Sequence, residues 1–385
     1  MSDAAVQAAP QGLQSLVKTK RVLVTVGAGG VGKTTTAATL GLLAARLGRR
    51  TLVMTIDPAR RLATSLGLGA LDHQERVVPD EKMVAAGLPT GLLSAMMLDQ
   101  KHTFDDLILR YAADPAAARR VLDNRIYREL STRLAGGQEY AAMEKLYELS
   151  ETGRYDLLVL DTPPTANALD FLDAPRKMID LVESPAVSLL VSSYRRAGRM
   201  SFKLLSLGAS YVFKRIARFI GGDFLDDIAG FFSDVHELLE GFRDRAAKVI
   251  QLMERPDVGF VLVASPDPRA IDEAEALYGR LKNSGMSPEA FVINRVHPLA
   301  PIRATVEEVA ARCAARGLPP EVAARLASEL VECHRRLQVL AAADDEEIRR
   351  LLRGTGARAP CIRVPFFNED VHDVAGLMRL SEHLI

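Results

Sequence analysis

GAGGVGKTTTAATL, residues 27–40, directly follows the apolar run RVLVTV at residues 21–26. A strand-like run, a glycine-rich turn and a run with helical periodicity succeed one another here, and residues 27–34 match the phosphate-loop spacing G-x-x-x-x-G-K-[ST]. Glycines let successive backbone N–H groups point inward at phosphate oxygens, and the N-terminal end of the following helix adds positive charge.

The loop divides its tasks among backbone and side chains. Lys33 is expected to bridge the terminal phosphates of a nucleotide, and the hydroxyl of Thr34 is expected to bind Mg²⁺. The residues of the loop expected to contact the nucleotide are Gly27, Gly29, Gly30, Val31, Gly32, Lys33, Thr34 and Thr35.

Two aspartates follow later strand-like runs. TLVMTI at residues 51–56 ends at Asp57, and YDLLVL at residues 155–160 ends at Asp161. Ligands of open α/β sheets bind at the carboxyl ends of the strands, so both carboxylates are expected near the nucleotide. Consecutive apolar residues before an aspartate match the Walker-B arrangement, which places Asp161 near the Mg²⁺ ion.

Further strand-like runs lie at residues 93–98, 258–268, 290–298 and 361–371. About seven strands separated by helical segments predict an α/β fold, a P-loop NTPase with a mainly parallel, helix-covered sheet and an inserted helical subdomain. Residues 1–20 are expected to be flexible, and residues 21–385 to form a single domain. Helical insertions are predicted at about 99–150 and 176–255, and a solvated helical connector at about 299–355.

Charge, cysteine content and hydropathy limit which partners and which compartment the sequence predicts. The chain has 49 basic and 49 acidic residues, so a broad attraction to nucleic acid is not expected. Cys313, Cys333 and Cys361 lie far apart and show no metal-ligand spacing, which favours a reducing compartment. The longest uncharged run, residues 83–98, is interrupted by glycine and proline and is too short to span a bilayer. These features predict a soluble cytoplasmic protein.

Asn294 follows a strand-like run, at a place where P-loop proteins often carry an amide that reads the base. A guanine-reading Asn-Lys-x-Asp motif would need an aspartate three residues later, and His297 stands there instead. This pattern favours adenine over guanine, and hence ATP as the nucleotide.

The motifs GAGGVGKTTTAA, TIDPARRLATSLGL, DTPPTANALDFLDAP, INR and VPFFNEDV, in this order, resemble the ArsA and guided-entry (tail-anchored protein targeting) ATPase family. The resemblance covers nearly the whole chain and is nearest to a bacterial branch that occurs as unlike pairs. It implies a dimeric switch that couples Mg-ATP hydrolysis to a protein client or membrane partner. It also implies that Asp57 orients the attacking water, that Asp161 belongs to switch II, and that Asn294 and a C-terminal loop at Pro365–Phe367 hold adenine.

Three departures from the family pattern bear on assembly. Ala28 stands where the family carries a signature lysine that reaches the partner's nucleotide. Either Arg60 or Arg61, at the place where targeting members have His-Asn, supplies that charge, or the partner is an unlike chain that keeps the lysine, and we favour the unlike pair. No Cys-x-x-Cys follows Asn294, so a zinc clasp between subunits is not expected, and no cysteine cluster of the arsenite-binding kind is present.

The second insertion contains apolar and basic residues at helical spacing between residues 201 and 220. Phe202, Phe213, Ile216 and Phe219 share one apolar face. The resemblance implies a groove for a hydrophobic client there. A helical cap that packs on its own domain and a helix lying on a membrane surface are the alternative interpretations.

Two other functional classes share part of this pattern. A positioning ATPase of the partition or septum-site type has the same loop and a DTPP-like switch, but such proteins are usually shorter and lack a long apolar insertion. An iron–sulfur reductase of the nitrogenase type needs a bridging cysteine at its subunit interface, and the three scattered cysteines argue against it.

Overall fold

The computed structural model describes residues 12–57, 61–112, 114–133, 136–162, 168–185, 231, 241–300 and 304–385. Its strands form one sheet in the order β3-β4-β2-β5-β1-β6-β7-β8. The strands are β1 (Val22–Val26), β2 (Thr51–Thr55), β3 (Arg76–Val77), β4 (Leu93–Met97), β5 (Leu157–Asp161), β6 (Val258–Ala264), β7 (Pro288–Val296) and β8 (Cys361–Pro365). All pairs are parallel except β3 with β4, so the predicted α/β fold with a mainly parallel sheet is confirmed.

The strand order brings the motif-bearing loops together. β1 lies between β5 and β6, and β2 lies on the far side of β5. Thr55 of β2 and Thr25 of β1 are both in register with Asp161. Because parallel strands end at the same edge of the sheet, the phosphate loop, Asp57 and Asp161 follow three adjacent strand ends.

Helices cover both faces of the sheet. They are α1 (Leu13–Thr19), α2 (Lys33–Arg46), α3 (Arg61–Ser65), α4 (Asp80–Ala85), α5 (Gln100–Tyr111), α6 (Pro115–Asp123), α7 (Arg125–Arg133), α8 (Gly137–Thr152), α9 (Ala168–Val182), α10 (Pro268–Asn283), α11 (Val306–Ala314), α12 (Pro320–Thr355) and α13 (Val374–Ser381). Residues 241–253 are also helical. Successive side chains of β1 point to opposite faces of the sheet and contribute to two cores. Val22 and Val24 pack with α5, α8 and α10, and Leu23 packs with α1, α2 and α13.

The prediction that residues 1–20 are flexible is wrong for residues 13–19. Residues 13–19 form α1, and Leu13 and Val17, one helical turn apart, are fully buried in the core that α2 and α13 share. Apolar burial on this scale outweighs the chain entropy that would favour a flexible segment. Gly12 sits so close to the C-terminal residue that an added Cβ would meet the Ile385 carbonyl carbon at 2.4 Å.

The helical segments differ from expectation mainly in burial. The region at 99–150 is helical, as α5 to α8, and Tyr140 and Leu146 of α8 are buried. A solvated connector over 299–355 is wrong for the C-terminal third of α12, because Ile348 and Leu351 are fully buried where α12 packs against α10.

The second insertion is only partly described. Residues 241–253 are helical and contribute Phe242 and Val249 to the core. Phe202, Phe213, Ile216 and Phe219, on which the groove interpretation depends, lie outside the described residues. Among the helices that the structure describes, none is long and apolar enough to cross a membrane.

Candidate functional site

The phosphate loop needs glycine at both of its ends. Gly27 follows β1 with φ 154°, and a Cβ there would meet the carbonyl oxygen of Val263 at 2.0 Å. Gly32 is the N-cap of α2 with φ 101°, and a Cβ there would meet Nδ2 of Asn294 at 2.3 Å. Gly30 also has a left-handed φ, 76°. Backbone conformation and close approach of neighbouring strands therefore explain these residue types.

Lys33 folds back over the loop that precedes it. Its Nζ donates to the carbonyl oxygens of Gly27 at 2.9 Å and of Ala28 at 2.7 Å. The side chain is buried, and burial lowers its pKa, against the opposing effect of the Asp161 and Asp57 carboxylates. The ammonium group is thus held at the mouth of the loop, where it can exchange backbone acceptors for phosphate oxygens.

Asp161 lies beneath the loop and is fully buried. Its Oδ2 accepts a hydrogen bond from the Thr55 hydroxyl at 2.9 Å, while Oδ1 has no hydrogen-bond partner in the described part of the chain. Burial raises the pKa of Asp161 to about 6, and the Thr34 and Thr55 hydroxyls oppose that shift. A buried, unpartnered carboxylate oxygen is costly unless it receives a ligand such as a metal ion or metal-bound water.

Thr55 links the two aspartate-bearing segments. Its hydroxyl donates to Asp161 and also accepts a hydrogen bond from the backbone N–H of Asp57 at 3.2 Å. On the other side of Asp57, the side chain of Gln138 donates to the carbonyl oxygen of Ile56 at 2.9 Å. Thr55 is the first residue of the motif TIDPARRLATSLGL but was given no role from the sequence, and Gln138 belongs to none of the quoted motifs.

Asn294 bonds to the phosphate loop itself. Its Nδ2 donates to the carbonyl oxygen of Val31 at 3.0 Å, and its Oδ1 accepts from the backbone N–H of Arg295 at 3.0 Å. Arg295 has φ 63°, the one left-handed φ at a non-glycine residue in the described chain. The side-chain amide of Asn294, which is predicted to read the base, therefore also links β7 to the phosphate loop.

The C-terminal loop presents an exposed aromatic ring beside Asn294. Phe366 is 53% exposed and stacks on His297, with ring centroids 5.6 Å apart and planes 10° apart. His297 is held by Asp344 of α12, whose Oδ2 lies 2.8 Å from Nδ1 and accepts the backbone N–H at 2.7 Å. The contact anchors the loop to the long helix α12.

A cavity of about 680 Å³ unites most of the predicted site. The predicted residues that line it are Gly30, Gly32, Lys33, Thr34, Thr35, Asp57, Asn294, Pro365, Phe366 and Phe367. Gly27, Gly29, Val31 and Asp161 do not line it, and Asp161 lies buried behind it. The volume is within the roughly 300–1,000 Å³ typical of small-molecule and cofactor sites.

Several lining residues were not among those predicted to contact the nucleotide, although Arg61 was named as a possible source of the charge missing at Ala28. Arg61 begins α3, Thr162 follows β5, and Arg295, Glu369 and Asp370 flank predicted residues in the chain. Each lies within one of the motifs quoted above, which was the available signal. Pro58, Ala59 and Arg60 of the predicted switch lie outside the described residues.

Mg²⁺ fits the donor set that the structure provides. The ion favours oxygen ligands and keeps several waters, so it needs few protein groups. The hydroxyl of Thr34 and the unpartnered Oδ1 of Asp161 are such groups. In the described residues no cluster of three or more His, Cys, Asp or Glu side chains could hold a metal on its own.

Comparison with known proteins agrees with this architecture. The family model ArsA_ATPase, described as anion-transporting ATPase, matches residues 20–316. The match covers well over half of the chain, and the chain belongs to this family of ATPases. The resemblance inferred from the motifs is thereby confirmed at family level.

Individual relatives are 24–29% identical to this chain over the aligned residues. A putative arsenical pump-driving ATPase 1 of Aquifex aeolicus is 24% identical over 284 residues, 72% of this chain and 64% of that protein. The ATPase get3 of Aspergillus terreus is 26% identical over 290 residues, 74% of this chain and 76% of that protein. An uncharacterized protein of Streptomyces coelicolor is 29% identical over 283 residues, 72% of this chain and 63% of that protein. The chain thus spans about two thirds of the length of the Aquifex and Streptomyces relatives.

Proposed function

We propose that this chain is an Mg-ATP hydrolase that works as a dimeric switch. The observation that carries the proposal is the single cavity lined together by the phosphate loop, Asp57, Asn294 and the loop Pro365–Phe367. Phosphate, carboxylate and aromatic recognition elements meet there at the carboxyl edge of the sheet, the place where open α/β folds bind nucleotides.

Lys33 and the loop backbone bind the phosphates. The two carbonyl acceptors of Lys33 are neutral, and a triphosphate offers charged oxygens that form stronger hydrogen bonds. Lys33 therefore moves from the carbonyl oxygens of Gly27 and Ala28 to the nucleotide when it binds. The N-terminal end of α2 points its free N–H groups at the same oxygens.

Thr34 and Asp161 would hold Mg²⁺, Thr34 by its hydroxyl and Asp161 through its free Oδ1. The ion supplies positive charge that offsets charge developing on the phosphate oxygens. Thr55 keeps the Asp161 carboxylate in place and, through the N–H of Asp57, ties it to the neighbouring strand end. The same hydroxyl therefore couples the metal-binding carboxylate to the segment that carries Asp57.

Asp57 orients the attacking water by accepting a hydrogen bond from it in the transition state. Its position supports this role, because it lines the cavity at the strand end next to Asp161. A group in this role acts on the rate rather than on nucleotide affinity.

Asn294 and the loop Pro365–Phe367 hold the adenine base. Phe366 offers an exposed ring face for stacking, and Asn294 keeps one amide hydrogen and one lone pair beyond those used in the structure. ATP is accordingly expected to bind more tightly than GTP.

Ala28 bears on assembly. An alanine cannot reach into a neighbouring active site with positive charge, which contributes strongly to phosphoryl transfer where it is supplied in trans. We therefore infer an unlike partner that carries a lysine at this place, with the site of this chain completed by that lysine. Hydrolysis then controls a hydrophobic protein client or a membrane-bound partner.

The test compares two variants with one control by calorimetric nucleotide binding and steady-state hydrolysis. Asp57→Asn is expected to lower kcat by about 100-fold while ATP affinity changes by less than about threefold. Lys33→Ala is expected to weaken ATP binding itself. Asp72→Asn, at an exposed aspartate paired with Arg76, is the control and should match wild type. Wild-type turnover by Asp57→Asn, or equal affinity for GTP and ATP, would contradict the proposal.

A further inference from the structure

The long helix α12 extends well beyond the sheet. Its residue Asp344 accepts the backbone N–H of His297, which directly follows the carboxyl end of β7. Its last residue, Thr355, leads to the start of β8 at the opposite edge. At the rise of an α-helix, the part of α12 that precedes Asp344, residues 320–343, is about 35 Å long. We call α11 together with residues 320–343 of α12 the arm.

The arm buries one face and leaves a second apolar face open. α11 packs along α12, on which Ala323, Ala327 and Val331 are buried. Next to that face runs an apolar stripe with spacings of four and three residues. Its members are Leu326, Leu330, Cys333, Leu337 and Leu340.

Three leucines of this stripe are exposed, although leucine side chains are usually buried. Leu330, Leu337 and Leu340 are 48%, 45% and 48% exposed, and no segment among the described residues covers them. The alternation of four and three is the spacing by which one helix packs lengthwise against another. A contiguous apolar row on a projecting helix marks an interaction site.

We propose that the stripe is a self-association surface, which pairs in antiparallel orientation with the same stripe of a second copy of this chain. In that orientation Leu326 lies opposite Leu337 of the second copy, and Leu330 lies opposite its Cys333. The two-fold symmetry of such a pair repeats these two layers, so Leu326, Leu330, Cys333 and Leu337 are matched, and Leu340 lies beyond them.

Charge decides between the two possible orientations. Glu329 and Arg336 flank the stripe on the same side, seven residues apart. In the antiparallel pair Glu329 of each copy faces Arg336 of the other, which makes two opposite-charge contacts. A parallel pair would instead set Glu329 beside His334 and Arg336 beside Ala341, with no such match.

The ion pairs that Glu329 and Arg336 make within the chain do not prevent the contacts between two copies. Glu329 lies 3.8 Å from Arg325, and Arg336 lies 3.0 Å from Glu332, both within the exposed helix. Exposed ion pairs of this kind add little stability, so their rearrangement opposes association weakly.

The contact is separate from the nucleotide site. None of the stripe residues lines the cavity described above. Self-association through the arm therefore proceeds without nucleotide, and it would join two chains whether or not an unlike partner sits at the nucleotide edge. A seam of this length belongs to the small interfaces, below about 1,200 Å² in total, so we expect a dissociation constant in the roughly micromolar range.

The first test measures the mass of the full nucleotide-free chain by sedimentation equilibrium between about 5 and 300 µM, a span that covers such an affinity. The wild-type mass should rise toward that of a dimer. Leu337→Asp should keep the chain monomeric, whereas Val339→Asp should not. Val339 is the matched control because it is 66% exposed on the same helix but lies outside the stripe. A monomeric wild type, or a Leu337→Asp variant that still dimerises, would overturn the proposal.

The second test exchanges the flanking charges and does not depend on the apolar row. Glu329→Arg alone and Arg336→Glu alone should each weaken dimerisation by about tenfold, because like charges then face each other. The double variant should return to within about threefold of wild type, since the pairs are restored with reversed sign. The antiparallel pairing would be refuted if the single changes left dimerisation intact. It would also be refuted if the double change failed to restore dimerisation. Unchanged thermal unfolding of every variant verifies that the fold is retained.

Discussion

Replacing Asp161 by asparagine should remove a pH dependence of stability that this buried carboxylate creates in the nucleotide-free protein. Burial raises its pKa from 3.8 to about 6. Between these two values the folded protein keeps a proton that the unfolded chain has released. The free energy of unfolding therefore falls as pH rises from about 4 to about 6 and levels off above about 7.

The magnitude follows from the size of the shift. One pKa unit corresponds to about 1.4 kcal/mol, so the ionised carboxylate costs the folded protein about 3 kcal/mol at neutral pH. About 1.4 kcal/mol of this cost develops between pH 5 and pH 8, which corresponds to about 2 °C in the melting temperature of a chain of this length.

The assay is thermal unfolding of wild type and Asp161→Asn, without nucleotide or Mg²⁺, at several values between about pH 5 and pH 8. The melting temperature of wild type minus that of the variant should fall by about 2 °C across this range. Asp156→Asn is the control, because its hydrogen bonds from Arg50 lower the pKa of Asp156 and leave it ionised throughout. A wild-type-minus-variant difference that is constant or rises with pH for Asp161→Asn would refute the reasoning.

Three further changes probe other parts of the site. Gly32→Ala should weaken ATP binding by more than about tenfold in calorimetry, because the left-handed φ and the contact with Asn294 leave no room for a Cβ; unaltered binding would contradict this. His297→Ala should weaken ATP binding by about threefold to tenfold but leave binding of inorganic triphosphate unchanged, since it removes the support behind Phe366; an equal loss for both ligands would show a wider disturbance. Ala28→Lys should raise the ATPase rate of the purified chain, measured by phosphate release, by supplying a cation in trans between like subunits; no change would point to a switch I arginine.

Local patterns were sufficient for the sheet and the loop. Seven strands were predicted from apolar runs, and the spacing of Gly27 to Thr34 predicted the turn before α2. β3 was missed because its two residues are exposed and carry no apolar pattern. The helix α1 was missed because only the core shared with α2 and α13 gives Leu13 and Val17 a place to be buried.

Residue order along the chain was enough to predict the chemistry of the site, because it shows which residues follow strand ends and which glycines and hydroxyls the loop contains. Tertiary structure alone decided the contacts among them. Thr55 meets Asp161 because β2 pairs with β5, and Asn294 meets Val31 because β7 lies two strands from β1. Such contacts join residues more than a hundred positions apart, and local periodicity carries no information on strand order or helix docking.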